Sequence, residues 1–284
     1  MEDTLFISTL GKLGTLSILG TLGKLGVPNL PKIPKIPNIP QLNPMSSLLS
    51  KPIIKTTTNC PFVIKRGATS EAISRSNKFD KDYFSDKNYN YEVWQQDQAR
   101  WLVSYMFDYV RPKPDWVYLD VGCALGGTVE IMRKRKAEAY GIDVSKYCID
   151  NSPVKEYLRL GSATNIPCAD QSVDVVLCTD TFQYLKKDEV RLAIQELKRI
   201  TKRYVFFECI TEEDKFGSQD VNPDKVRKGQ SLLKRNEFIK LFEEAGFEET
   251  VRGWLPRHIQ GSWLGHGWYM YDFSFNSLLE VGKK

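Results

Sequence analysis

Two regimes of hydrophobic spacing divide the chain. Over the first forty-odd residues the apolar positions recur every third: Leu10, Leu13, Leu16, Leu19, Leu22 and Leu25, then after a phase slip Leu30, Ile33, Ile36, Ile39 and Leu42. Gly11, Gly14, Gly20, Gly23 and Gly26 keep step with the first set, and Pro31, Pro34, Pro37 and Pro40 with the second. A period of three fits neither a helix nor a strand. A polyproline II helix has three residues per turn, so that conformation would gather the apolar side chains on one stripe. Residues 1–78 are expected to be a low-complexity, disordered arm and linker. An adhesive arm that docks a protein partner or a membrane surface is the sharper reading, motivated by the apolar stripe and the lysines that no acid opposes.

From residue 79 onward the pattern changes to helical stripes that alternate with short apolar runs. Tyr91 to Val110 reads as a long amphipathic helix, with Trp94, Trp101, Leu102, Tyr105, Met106 and Tyr109 spaced three or four apart as core contacts. Tyr83, Tyr89 and Tyr91 precede it and could serve instead as a lid over a ligand. After the breaker Arg111–Asp115 come a strand ending in Trp116–Gly127 (WVYLDVGCALGG), a helix over Thr128–Lys136, and a strand ending at Asp143. A short helix within 145–158, a short strand over 159–164 and a strand over 172–180 follow. Lys186–Thr201 is a helix with Val190, Ile194, Leu197 and Ile200 on one face, and 203–210 is a fully buried strand. A charged insert (211–230), an amphipathic helix stopped by Gly246, and two late strands over 249–255 and 267–275 complete the chain. Strands alternating with helices at this spacing predict a doubly wound α/β sheet over residues 79–284.

Composition changes this picture little. The net charge is +5, but eight basic residues and no acid lie between Thr4 and Ser70, and residues 71–284 carry −1. The ordered part is therefore no basic platform for nucleic acid. Six cysteines without a CxxC pair, and no histidine at metal spacing, point to reduced thiols in the cytoplasm and to no metal. The longest uncharged stretch of the arm is the fifteen residues between Lys35 and Lys51, broken by prolines and too short to span a bilayer, and the glycine-rich stretch between Lys12 and Lys24 is shorter still, so no transmembrane segment is expected.

The chemistry concentrates at WVYLDVGCALGG. An apolar strand, an acid, a glycine-rich turn and a helix start are the parts of a loop that lets backbone approach a ligand. The dehydrogenase fingerprint G-x-G-x-x-G is met only with a substitution and gives Asp120 no role. Asp120-x-Gly122-x-Ala124-x-Gly126 instead resembles the D/E-x-G-x-G-x-G loop of class I S-adenosylmethionine-dependent methyltransferases, of the type 11 kind. The resemblance runs from about Tyr91 to the C-terminus: YGIDVS ends a second strand in an acid, GSATNIPCADQSVDVVLCTDTFQYL is similar to the block around the fourth strand, and RNEFIKLFEEAGF to the late helix. It implies a Rossmann-like, seven-stranded, mostly parallel sheet with an antiparallel C-terminal strand. It also implies S-adenosyl-L-methionine as cofactor, with Asp120 receiving the ammonium group and the backbone N–H groups of Gly122, Cys123, Ala124 and Gly126 lining the amino-acid tail. Asp143, followed by Val144, would hold the ribose hydroxyls, Ser162 and Ala163 would lie by the adenine, and Thr179 would present backbone to the tail.

Three positions depart from the family pattern, the first being Ala124 in place of the loop's central glycine. Ser162 stands where an acid usually receives the adenine amino group, and Tyr184, preceded by Gln183, stands where the family has a histidine. No base follows the fourth strand, which leaves His258 and His266, on the segment near the family's substrate side, as the candidates for a catalytic base. The D/N-P-P-Y/F turn of amino-methylating nucleic-acid enzymes is replaced by TDTFQY. These features together imply methyl transfer to an oxygen or nitrogen of a small-molecule or glycan-type acceptor. The alternative is a methyltransferase-fold binding or scaffold module tethered through the repeat arm.

Overall fold

The computed structural model describes residues 60–63, 74, 77–85, 91–213, 233–253 and 275–282, and of 85, 91–98, 275 and 276 the backbone alone. All belong to one compact unit, Thr56–Lys284. The arm, the insert over 214–232 and the segment 254–274, with its expected strand start at 267, lie outside the described residues.

Seven strands form one sheet: β1 (Val117–Val121), β2 (Glu138–Asp143), β3 (Leu158–Leu160), β4 (Val173–Cys178), β5 (Thr201–Cys209), β6 (Phe247–Arg252) and β7 (Phe275–Val281). Their order is β3-β2-β1-β4-β5-β7-β6, with β7 antiparallel to both neighbours. The described helices are α1 (Lys81–Ser85), α2 (Tyr91–Tyr109), α3 (Gly127–Lys134), α4 (Lys146–Asn151), α5 (Lys187–Ile200) and α6 (Arg235–Glu244). The mostly parallel, doubly wound sheet with an antiparallel C-terminal strand is thus observed. The described part of its final strand is Phe275–Val281, which overlaps the expected run at Phe275.

Each face of the sheet buries a different set of helices. Val190, Ala193, Ile194 and Leu197 of α5 and Phe238 and Phe242 of α6 pack with Val121, Val176, Val205 and Phe207 on one side. On the other, Leu102, Val103, Met106 and Phe107 of α2 and Val129 and Met132 of α3 cover Tyr118, Val175, Leu177 and Phe206. The central β4, VDVVLC, is buried along its whole length, as a parallel strand covered on both faces must be. Helix starts are held by local carboxylates: Glu189 accepts the Lys186 N–H at 2.7 Å ahead of α5, and Glu237 the Lys234 N–H at 2.8 Å ahead of α6.

One expected core face is displaced. Trp101 and Tyr109 are 47% and 46% exposed, while Ala99, Leu102, Val103, Met106, Phe107 and Val110 are buried. The buried stripe follows the 99–102/103–106/107–110 ridge. Trp101 and Tyr105 lie on the flanking face, where their rings stack 6.4 Å apart.

Candidate functional site

The chain reverses its winding at β1, which pairs with β2 on one side and β4 on the other. Open α/β sheets bind ligands in the crevice at the carboxyl ends of strands at such a switch point. The residues singled out in the sequence converge there: Asp120 at the end of β1, the Gly122–Gly126 loop, Asp143 at the end of β2, and Thr179 just past β4.

Tight backbone geometry builds the loop. Gly122 has φ +84°, and a Cβ placed there would fall 2.0 Å from Thr181 Oγ1. That hydroxyl lies 3.0 Å from the Val121 carbonyl and 2.9 Å from the Thr179 carbonyl, so it ties the β1 and β4 ends together across the glycine. Gly141 of β2 leaves room for the Cys123 side chain, whose Sγ would otherwise meet a Cβ at 2.7 Å. Ala124 sits at φ +46°, in the left-handed region that favours glycine, so the alanine in place of the family's central glycine carries backbone strain.

The loop spends its own donors. The N–H groups of Gly122 and Cys123 bond the Ile142 carbonyl at 2.9 and 3.0 Å, Gly126 bonds the Cys123 carbonyl at 2.8 Å, and Ala124 bonds Asp143 Oδ2 at 2.8 Å. In this structure those of Gly122, Cys123 and Ala124 anchor the loop to the end of β2, and that of Gly126 closes the turn, as a turn this tight must. The N-cap of α3, Gly126, has no side-chain cap.

Two carboxylates face this loop in different states. Asp120 is 4% exposed, and among the described residues it accepts one hydrogen bond, from Thr128 Oγ1 to Oδ2, and joins no ion pair. Burial pushes its carboxyl up to about 7, with the charge of Asp143 adding and the Thr128 hydroxyl opposing. Asp143 is half-buried and is clamped by the N–H of Ser145 to Oδ1 (2.7 Å) and of Ala124 to Oδ2 (2.8 Å). Burial raises its carboxyl as well, against the backbone N–H groups of Ser145, Ala124 and Val144. Both of its oxygens are thereby held in place.

The other expected residues are placed as follows. Val144 flanks Asp143 at intermediate exposure, and Ala163 is buried at the far side beyond β3. The Ser162 hydroxyl is engaged in its own turn, 2.8 Å from Thr164 Oγ1 and accepting the Thr164 N–H at 3.2 Å. Tyr184 follows β4, and its hydroxyl lies 3.0 Å from that of Tyr83. His258 and His266 lie outside the described residues. Burial pushes the Cys123, Cys148 and Cys178 thiols up, which keeps them neutral, and none of the six cysteines forms a disulfide. No group of three metal-ligating side chains is found among the described residues, and no described helix is long and apolar enough to cross a membrane.

Sequence reasoning missed Thr128, Thr181, Ser145 and Phe79. Thr128 was legible in outline, as a hydroxyl in the first turn of the helix after the glycine loop. The other three act across long sequence separations that no local pattern reports.

Comparison with known proteins agrees with this geometry. Residues 119–207, from β1 through β5, match the family model of a methyltransferase domain. No curated protein matches the chain by sequence. Among solved structures, the magnesium protoporphyrin IX methyltransferase of Synechocystis PCC 6803 with bound S-adenosylmethionine is similar, with a TM-score of 0.52 and 14% identity, over 76% of this chain and 99% of that one. A methyltransferase of Thermotoga maritima described as a possible histamine N-methyltransferase gives 0.51 and 16%, over 73% and 99%. At such identities the likeness establishes the architecture. Residues 119–207 thus match a methyltransferase-domain model, and the chain shares the fold of the solved S-adenosylmethionine-dependent methyltransferases it resembles.

Proposed function

We propose that the chain is an S-adenosylmethionine-dependent methyltransferase acting on an oxygen or nitrogen of a small-molecule acceptor, sugar-like molecules included, in the cytoplasm. Residues 79–284 would be the catalytic domain and 1–78 an appended arm. The observation that carries the reading is Asp120, a buried carboxylate that no cation within the described residues balances. An ammonium group is the ligand chemistry that removes the cost of such a charge.

The residues present fit the cofactor. Asp120 would receive its ammonium, the uncapped start of α3 its carboxylate, and Asp143 its ribose diol in the bidentate manner of a carboxylate. Ser162 and Ala163 would border the adenine, and the Thr179 backbone the tail. Once bound, this cofactor supplies an electrophilic methyl group on a sulfonium. The protein's part is then to hold the acceptor in line and to exclude water, which accounts for a large share of such rate enhancements. A weakly nucleophilic hydroxyl would also need a base, and His258 and His266 remain the candidates.

Titration calorimetry with S-adenosylhomocysteine tests the reading. The wild-type protein should bind, and Asp143→Ala should weaken binding at least about thirtyfold, since two charge-assisted hydrogen bonds are lost. Intact affinity in that variant would remove the ribose assignment. Tight binding without methyl transfer from a labelled donor to any component of a cell extract would favour the scaffold reading.

A further inference from the structure

Residues 77–85 cross the mouth of the crevice and are pinned to it at three points. At the β2 side, Ser145 Oγ donates to the Phe79 carbonyl at 2.5 Å, two residues after Asp143. Above the glycine loop, Phe84 is buried against Ala124 and Cys148, with Leu125 and Tyr147 packed around them. At the β4 side, the Tyr83 hydroxyl meets the Tyr184 hydroxyl at 3.0 Å. The Phe79 ring stands edge-on to both tyrosines, with centroids 5.1 Å from Tyr83 and 5.3 Å from Tyr184. Asp80 caps the start of α1 by accepting the Tyr83 N–H at 3.1 Å.

Ser145 and Tyr184 stand on opposite sides of β1, the strand at which the winding reverses. A segment tied to both spans the crevice from the Asp143 side to the β4 side and passes over the loop between them. Any ligand held by Asp120 and Asp143 lies beneath it.

We propose that residues 77–85 roof the cofactor crevice and that the Tyr83–Tyr184 hydroxyl pair is the latch that must part for the cofactor to enter and its product to leave. The inference rests on the cofactor reading above. The latch bond is present without ligand, so breaking it should ease passage in both directions and leave the affinity nearly unchanged. One hydrogen bond of ordinary net strength corresponds to about a fivefold change in rate.

Stopped-flow binding of S-adenosylhomocysteine to the full chain, followed by displacement, gives both rates. In Tyr83→Phe and in Tyr184→Phe, association and dissociation should each accelerate about fivefold, while Kd moves less than twofold. The double variant should exchange more slowly than the product of the two single effects predicts, because both remove the same bond. Phe79→Ala, which removes two ring contacts, should accelerate exchange further. Thermal unfolding of each variant checks that the fold is kept. Rates equal to wild type in both phenylalanine variants would overturn the latch. So would faster dissociation with a matching loss of affinity, which would make the tyrosine a direct ligand contact. Failure of the wild-type protein to bind S-adenosylhomocysteine at all would overturn the cofactor reading and the latch with it.

Discussion

Asp120 and Asp174 sit on neighbouring strands of one sheet, at opposite ends, and are equally buried at 4% and 3% exposure. Asp174, near the start of β4, accepts the Val117 N–H at 3.0 Å and is flanked by Lys202 Nζ at 3.2 Å and Arg203 Nε at 3.3 Å. Asp120, at the end of β1, has Thr128 and the like charge of Asp143. The amino ends of the strands thus carry a carboxylate whose charge the protein itself neutralises. At the carboxyl ends an equally buried one has no cation beside it among the described residues, at a cost to stability when it is ionised. A buried charge left without a partner costs free energy, which is what supports the proposed ammonium site.

Exchanging each acid for its amide should break this symmetry most visibly. Asp120→Asn is expected to weaken S-adenosylhomocysteine binding about a hundredfold and to stabilise the ligand-free protein at pH 8 by about 2–4 kcal/mol, the range set by a shift of some three pKa units. Asp174→Asn should do the reverse: a loss of about 2 kcal/mol, lessened because Lys202 and Arg203 are partly exposed, with binding unchanged. Chemical denaturation and calorimetry on the two variants check both halves.

A smaller effect sharpens the comparison through pH. The folded-state pKa of Asp120 is raised, so the penalty for its charge is absent below about pH 4, grows as pH rises, and is complete above about pH 7. Glu213, Glu237 and Glu249 are lowered by hydrogen bonds and neighbouring cations, although burial opposes this in each. Their contribution is present above the ordinary glutamate range and is lost as pH falls through it. Ligand-free stability should therefore peak near pH 5 and decline toward pH 8, and Asp120→Asn should flatten the upper decline. A wild-type profile that is level from pH 5 to 8 would contradict the state assigned to Asp120.

Much of this was legible before any coordinates. The strand at Glu138–Asp143 and the α5 helix follow directly from spacing, because a period of two or 3.6 reports which face is buried. The acids at the two strand ends were equally plain, since their position in strand–loop–helix order carries the chemistry. The state of the loop was not: its N–H groups turn inward to Ile142 and Asp143 through a turn shape that sequence spacing does not encode. The aromatic face of α2 was misjudged because ring size outweighed angular position, and Trp101 lies beside the buried ridge rather than on it. Tyr83 was legible as a lid residue, but its contact with Tyr184 was not, since the two lie 101 positions apart and only the fold brings them together.

The central claim is that Asp120, whose ionisation costs free energy in the ligand-free protein, is there to meet a cationic ligand. Its most direct test is calorimetry of S-adenosylhomocysteine binding to the wild-type protein from pH 5 to 8 in buffers of different ionisation enthalpy. An acid that titrates near 7 when ligand-free and is ionised in the complex predicts a Kd that falls about tenfold per pH unit up to pH 7 and then levels off. About one proton should be released on binding at pH 6, and Asp120→Asn should abolish both effects. A Kd independent of pH, with no proton released, would contradict the account.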